Sequence, residues 1–291
     1  MQIRFATWML RVIWLLQPLA FAPLVNDATS TLSSLGRLIV LIVLWALWAA
    51  LLLATLVPST VSLTAGRVIA PMAVVAALAA AAFASVEGWK IAAAIVATVV
   101  AGLVWFSGEI GLGFVQGSAY GNEQRFPLKP PIPTIVPIVV SWLVVTFAFE
   151  GGVLLLANRR WIVGVALLLL TALVGWFLAP RFHQLSRRWF VVVPVGVVIH
   201  DPLVLSDVNL FRSSVLERIR LAPADTEAAD LTGGTAGVPI EIVFNEMQTV
   251  VKAGGRERPS GTALHALSVL VSPTRPGRAL ATAADGRLPV G

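Results

Sequence analysis

The feature that most constrains this chain is a series of apolar segments about as long as a bilayer is thick. A helix needs about 20 consecutive apolar residues to cross the hydrocarbon core. The clearest segment carries no charge between residues 38 and 57. The first part of the chain is therefore predicted to be an α-helical multi-pass membrane domain. Its clear spans are Arg37–Val57, Arg67–Val86, Lys90–Phe106, Ile135–Ala157 and Trp161–Pro180.

The N-terminal segment Phe5–Val25 decides whether there are five spans or six. It is apolar but is interrupted by Arg11, Gln17, Pro18 and Pro23. A cleaved signal peptide is disfavoured, because Arg11 breaks the apolar core and Pro23 would follow the cleavage site. A spanning helix and an amphipathic helix lying in the interface both remain open. We favour a sixth span, since it places both termini on the same side.

Charge density divides the chain near residue 183. Residues 1–183 carry ten Lys or Arg and five Asp or Glu, whereas residues 184–291 carry eleven and ten. Overall, 12% of residues are charged, about half the fraction of an ordinary soluble domain. We therefore predict a transmembrane domain over residues 1–183 and a soluble domain over residues 184–291.

The distribution of basic residues predicts the orientation in the cell membrane. With six spans and both termini inside, seven basic residues are cytoplasmic: Arg4, Arg67, Arg125, Lys129, Arg181, Arg187 and Arg188. Four are outside: Arg37, Lys90, Arg159 and Arg160. Loops rich in Lys and Arg stay on the cytoplasmic side. The C-terminal domain is thus predicted to be cytoplasmic, although Arg159-Arg160 argues the other way.

The basic residues after the last span also indicate which molecules the protein contacts. Arg181, Arg187 and Arg188 form a basic link after the last span and are predicted to face lipid, where each is worth about 1 kcal/mol at an anionic leaflet. The expected partners are the bilayer and, beyond it, anionic headgroups or another membrane protein. A nucleic-acid partner is not expected, because no basic stripe with aromatic readers is present.

The segment Ser107–Thr134 is the most polar part of the membrane half. Its five glycines predict an irregular loop. Its candidate functional residues are Glu109, Tyr120, Glu123 and Arg125. Two interpretations are open: a loop packed on the soluble domain, or a partly re-entrant ligand loop.

Glu150 lies deep in the predicted span Ile135–Ala157, before Gly151-Gly152. A carboxylate in the hydrocarbon core costs several kcal/mol unless it is paired, protonated or facing water. Glu150 is therefore a candidate functional residue, the alternative being a structural or protonated acid. The two glycines allow either a kink or the close approach of a neighbouring helix.

The C-terminal domain contains short strand patterns followed by one helix. Two hairpins are predicted, the first with strands Trp189–Pro194 and Gly196–Asp201, the second with strands Val238–Phe244 and Met247–Ala253 around Asn245-Glu246. Between them, Pro202–Arg212 is predicted to be irregular. A polar turn (Gly254–Gly261), a strand (Ala263–Ser272) and a helix (Gly277–Ala284) follow, with Thr274 as the helix cap and Pro276 in its first turn.

Two segments resemble bacterial pleckstrin-homology-like domains: Arg188–Ile199 is similar to their opening hairpin, and Val269–Leu280 to their closing strand, Ser-Pro and helix. The resemblance covers about a third of the chain and implies a small antiparallel β domain closed by a helix. The segment Pro202–Ser213 departs from it and leaves strand order open. The whole chain also resembles uncharacterised actinobacterial multi-pass membrane proteins, which implies no activity.

The sequence contains no recognisable catalytic motif. It has no Cys, and its three His residues do not have metal-ligand spacing. We therefore expect no catalytic residues, metal or cofactor, and favour a non-enzyme. The leading hypothesis is a scaffold or regulator with a cytosolic interaction domain. The alternatives are a small-solute or ion transporter using Glu150 and residues 107–134, and a membrane-face enzyme using Glu109, Glu123 and Arg125.

Overall fold

The computed structural model describes residues 2–254 and 261–291, with side chains from residue 5 onward. Most of the predicted turn Gly254–Gly261 and the side chain of Arg4 lie outside this range. The chain forms two compact units. The helical unit consists of Met1–Phe114 and Ile138–Phe182, and the β unit of Val115–Pro137 and His183–Gly291. The β unit thus includes a segment that the sequence assigns to the membrane half.

In the described part of the chain, eight helices precede the β strands of the C-terminal region. They are α1 (Gln2–Ala28), α2 (Ser34–Leu56), α3 (Thr60–Ile69), α4 (Met72–Ala81), α5 (Gly88–Trp105), α6 (Gly108–Gln116), α7 (Ile132–Ala157) and α8 (Trp161–Ser186). Within the described residues, six helical stretches are long and apolar enough to cross a membrane, α3 and α4 counting together as one. The N-terminal stretch is Phe5–Ala28. The chain therefore has the architecture of a multi-pass membrane protein.

The third stretch begins earlier than the sequence predicts. It starts at Thr60 rather than Arg67, because the Ser59 side chain caps α3 by accepting a hydrogen bond from the backbone N–H of Ser62. Arg67 consequently lies inside the stretch, where its Nε donates to the carbonyl of Trp105 at 3.3 Å. Pro71, which lacks a backbone N–H, stands between α3 and α4.

Two tryptophans join α1 to α2. The indole N–H of Trp14 donates to the carbonyl of Trp48 at 2.9 Å, and that of Trp48 donates to the carbonyl of Trp14 at 2.8 Å. Arg11 likewise directs Nε and Nη2 to the carbonyl of Thr55, at 3.1 and 3.0 Å. An unpaired donor in hydrocarbon costs several kcal/mol. These contacts therefore satisfy polar groups while fixing the packing of the two helices.

Small residues allow close helix contacts in the same unit. A side chain at Gly36 in α2 would overlap the backbone carbonyl of Ala157 in α7, and one at Gly152 in α7 would overlap Leu168 in α8. Helix α7 runs without interruption to Ala157. Of the two roles expected for Gly151-Gly152, the structure shows close approach at Gly152.

The β unit contains two four-stranded sheets and a final helix. The first has the order β1-β2-β3-β4, all antiparallel, with β1 (Gln124–Pro127), β2 (Trp189–Val193), β3 (Gly196–His200) and β4 (Asn209–Arg212). The second has the order β5-β7-β8-β6, with β5 (Leu216–Leu221), β6 (Ala229–Asp230), β7 (Ile240–Lys252) and β8 (Thr262–Val271). Helix α9 (Pro276–Asp285) follows.

The first predicted hairpin is confirmed, because β2 pairs with β3 in an antiparallel register. The second is wrong: residues 240–252 form one strand, and Asn245-Glu246 lies at a register shift against β8. A bulge inserts residues without reversing the chain. It interrupts the alternation of apolar and polar residues, and in a sequence this interruption looks the same as a turn. Helix α9 has Pro276 in its first turn, as predicted, but Thr274 makes no capping hydrogen bond.

The segment 107–134 is more ordered than its glycines suggest. Residues 108–116 form a helix with buried Ile110 and Phe114, whose packing offsets the low helix propensity of glycine. Residues 124–127 form β1, which pairs with β2. The interpretation that the loop packs on the C-terminal domain is therefore confirmed for its second half.

The contact at Gly36 gives a paired prediction. Gly36→Ala places a methyl group against the Ala157 carbonyl, and we expect a loss of about 1–3 kcal/mol in the unfolding free energy of the helical unit. Gly175→Ala, in α8 with open space around it, is the control and should be neutral or stabilising by up to about 1 kcal/mol. Denaturant unfolding in detergent measures both. Equal effects of the two changes would contradict the close contact.

Candidate functional site

A buried ion pair organises the β unit. Arg188 Nε and Nη2 donate to the two carboxylate oxygens of Asp201 at 2.7 and 2.6 Å. The side chains are 1% and 0% exposed. Arg188 also donates to the backbone carbonyls of Lys129 and Thr232. Arg188 precedes β2, Asp201 follows β3 and Lys129 follows β1, so the contacts of this one guanidinium hold these three strand ends together.

The burial of Arg188 corrects one sequence prediction. Arg188 was assigned to the lipid-facing basic link, but its guanidinium is enclosed by Asp201 and backbone carbonyls and is not available to a headgroup. Arg181 and Arg187 are exposed. Sequence reasoning missed the pairing because Asp201 lies at the far end of the hairpin, where strand register alone brings it to Arg188.

The polar loop residues largely satisfy one another. Glu123 Oε1 accepts from Arg125 Nε and Nη2 at 3.0 and 2.6 Å, and also from the backbone N–H of Tyr120. Gln116 bridges the same turn, donating to the Glu123 carbonyl and accepting from the Arg125 N–H, each at 2.9 Å. Glu109 lies apart in sequence, in the first turn of α6. The acid–arginine pair thus shapes the loop.

Arg125 is also the top of a three-layer stack on the first sheet. Its guanidinium carbon lies 4.5 Å from the ring centre of Trp189, and that ring stacks on His200 at 4.8 Å. Burial and the nearby Arg187 lower the pKa of His200, against an opposing effect of Asp201. His200 is therefore a neutral stacking partner at neutral pH. The stack was not foreseen, because its members come from three strands.

The helical unit contains a cavity of about 550 Å³ among α1, α2, α4 and α7. Glu150 lines it and is the one charged residue among the described residues that do. In the part of the chain that the structure describes, Glu150 has no hydrogen bond or ion pair. The candidate functional residue Glu150 thus lines the cavity and has no pairing partner among the described residues.

Gln17 supplies a second polar group to the same cavity. Its side chain is 6% exposed, and its Nε2 has no hydrogen-bond partner among the described residues. A buried amide without a partner costs about 1–3 kcal/mol. The sequence shows Gln17 as an interruption of an apolar segment. Its place beside a cavity depends on how α1 packs, so the sequence alone does not reveal it.

Aromatic rings form much of the remaining wall. They are Trp14, Phe21, Trp45, Trp48, Phe83 and Phe149. Trp45 and Trp48 meet edge to face with ring centres 5.2 Å apart. Trp45 and Phe83 are exposed, whereas Trp14 is buried. Among the described residues, the site is therefore an apolar, ring-lined cavity that Glu150 and Gln17 line without a partner.

Comparisons with known proteins give no further guide to this site. No family model matches the chain, and neither the curated proteins nor the solved structures contain a match. Among the described residues, no group of three or more His, Cys, Asp or Glu is arranged to hold a metal ion.

The buried ion pair predicts a large effect of removing one partner. Asp201→Ala leaves the Arg188 charge buried without a counterion, and we expect a loss of about 3–5 kcal/mol in the stability of the β unit. Arg187→Gln, which alters an exposed neighbour, should change it by less than about 0.5 kcal/mol. Hydrogen exchange of amides in β2 and β3 of the full chain reports both. Unchanged exchange in Asp201→Ala would refute the structural role of the pair.

Proposed function

We propose that the helical unit binds a small, mostly apolar molecule in the cavity at Glu150, as the binding step of a membrane transporter. The observation that carries this proposal is that Glu150 and Gln17 line one apolar cavity and that neither has a partner among the described residues. Ligand sites are typically apolar cavities of about 300–1,000 Å³ with a few polar groups that orient the ligand. A ligand with matching polarity would pair with Glu150.

The proposal rests on the cavity and not on the loop 107–134. The loop's charged pair, Glu123 and Arg125, is neutralised internally, and its strand belongs to a sheet. The same pairing weakens the case for acid–base chemistry by these two residues, so no observation favours the membrane-face enzyme. The transport hypothesis therefore retains Glu150 as a binding residue and no longer assigns a binding role to residues 107–134.

A steric block of the cavity tests this proposal. Ala76 lines the cavity, and Ala76→Phe would occupy part of its volume. We expect at least one of three ring-bearing probes, a cation, a neutral compound or an anion, to bind the full-length protein in nanodiscs saturably. Ala76→Phe should weaken that binding at least tenfold.

The matched control is Ala92→Phe, which adds the same side chain at an exposed position of α5. It should bind like the unmodified protein. The proposal fails if no probe binds saturably, or if Ala76→Phe and Ala92→Phe behave alike.

A second candidate function is that of a scaffold or regulator, with the β unit as its interaction module. Two observations favour it. The chain passes between the two units three times, after residues 114, 137 and 182. Met247 and Leu267, on the paired strands β7 and β8, leave large apolar side chains exposed. Such exposed groups are typical of contact sites for proteins.

We further propose a pleckstrin-homology-like closure for this unit and a cytoplasmic location at the cell membrane. The closure is supported by two sheets followed by a terminal helix. The location is supported by the basic residues outside the spanning stretches: Arg4, Arg125, Lys129, Arg187 and Arg188 on the proposed inner side against Arg159 and Arg160 on the outer side. The pairing of β1 with β2 also requires both strands to be on the same side, as two crossings by α7 and α8 allow.

Because the chain has no cysteine, single introduced thiols test these proposals. Met247→Cys should react with a membrane-impermeant maleimide in inside-out vesicles but not in intact cells. In native vesicles a bound partner should slow its labelling severalfold compared with vesicles stripped by high salt. Val208→Cys, an exposed control elsewhere in the β unit, should label equally in both. Labelling in intact cells contradicts the orientation, and equal rates at Met247→Cys contradict the interaction surface.

A further inference from the structure

We infer that the cavity selects lipophilic organic cations, meaning ring-bearing molecules with a single positive charge. This inference rests on the proposed function, since it concerns the same cavity and names the class of ligand. Three observations support it: the charge of Glu150, the aromatic rings around the cavity, and the fact that the indole N–H groups of the cavity wall already donate to backbone carbonyls.

The first argument concerns charge. Glu150 is the one charged residue among the described lining residues, and no Lys or Arg stands in that wall to neutralise it. An ionised carboxylate in an apolar membrane environment is costly unless it is paired. A cationic ligand supplies the missing counterion, whereas an anionic ligand would add a second negative charge. A neutral ligand would leave the carboxylate unpaired.

The second argument concerns the rings. Six aromatic side chains line the cavity, three of them tryptophans. A cation over an aromatic face gains about 0.5–1 kcal/mol at exposed sites and about 2 kcal/mol or more where water is excluded, with Trp the best partner. Aromatic faces and one carboxylate are complementary to a cation whose charge is surrounded by apolar groups.

The third argument concerns the donors that an anion would need. The indole N–H groups of Trp14 and Trp48 are already committed to each other's backbone carbonyls. Among the described lining residues, Gln17 Nε2 is a buried donor without a partner. One neutral amide is a weak anion site, but it suits an ether, carbonyl or hydroxyl oxygen. Gln17 therefore provides no site for an anion, and the charge of Glu150 decides the preference.

The test compares probes of nearly equal shape and different charge. Full-length protein in nanodiscs of zwitterionic lipid is titrated with tetraphenylphosphonium (cation), tetraphenylborate (anion) and tetraphenylmethane (neutral). We expect the cation to bind at least tenfold more tightly than either of the others. Glu150→Gln should weaken cation binding at least tenfold and change binding of the neutral probe by less than threefold.

Control variants separate charge at the site from charge elsewhere. Glu87→Gln removes an exposed acid that precedes α5 and should leave all three affinities unchanged. Glu150→Asp keeps the charge and should retain more cation affinity than Glu150→Gln. Retained binding of the neutral probe shows that a variant is folded.

The outcomes distinguish the two proposals. If the neutral probe or the anion binds as tightly as the cation, and Ala76→Phe abolishes that binding, the cavity is a binding site but the cation preference is overturned. The same conclusion follows if Glu150→Gln leaves cation affinity unchanged. If no probe binds, or if Ala76→Phe has no effect on any of them, both the preference and the proposed function are overturned.

Discussion

A helix in hydrocarbon has no water to satisfy its polar groups, so each donor and acceptor in the membrane unit needs a partner within the protein. Most of the polar side chains that the structure describes there obey this constraint. Trp14 and Trp48 exchange hydrogen bonds with each other's backbone, Arg11 bonds to the Thr55 carbonyl, and Trp142 donates to the carbonyl of Val68 at 2.8 Å. The same groups that are costly alone become contacts that fix the helix packing.

Among the described residues, Trp105 Nε1 and Thr146 Oγ1 are also buried without a partner, but Gln17 and Glu150 stand out because they line the same cavity. A single unpaired group could be a local imperfection of packing. Two unpaired groups on different helices, α1 and α7, that share one cavity indicate a space shaped for something else. In the β unit, the buried charge of Arg188 is paired with Asp201. Among the described residues, buried polar atoms without a partner occur in both units, so the helical unit is distinguished by two unpartnered groups that line one cavity.

Local sequence patterns predicted local structure well. The apolar lengths predicted the spans, and an acid within one of them identified Glu150. The alternation around residues 189–200 predicted the β2–β3 hairpin. Failures occurred where distant contacts decide: β1 pairs with a strand more than sixty residues away, and Gln17 becomes a cavity residue through helix packing. The long strand β7 was missed because a bulge and a turn disturb the alternation in a similar way.

The pairing of β1 with β2 has a consequence for biosynthesis. Residues 124–127 leave the ribosome before α7 and α8, and their partner strand, residues 189–193, comes after both. At about 5–20 residues per second, β1 waits on the order of several seconds for its partner. During that interval it is an unpaired strand edge at the membrane surface. Lys129, Pro130 and Pro131 follow one residue after its end, and a charge and prolines are the residues that discourage pairing with the wrong strand.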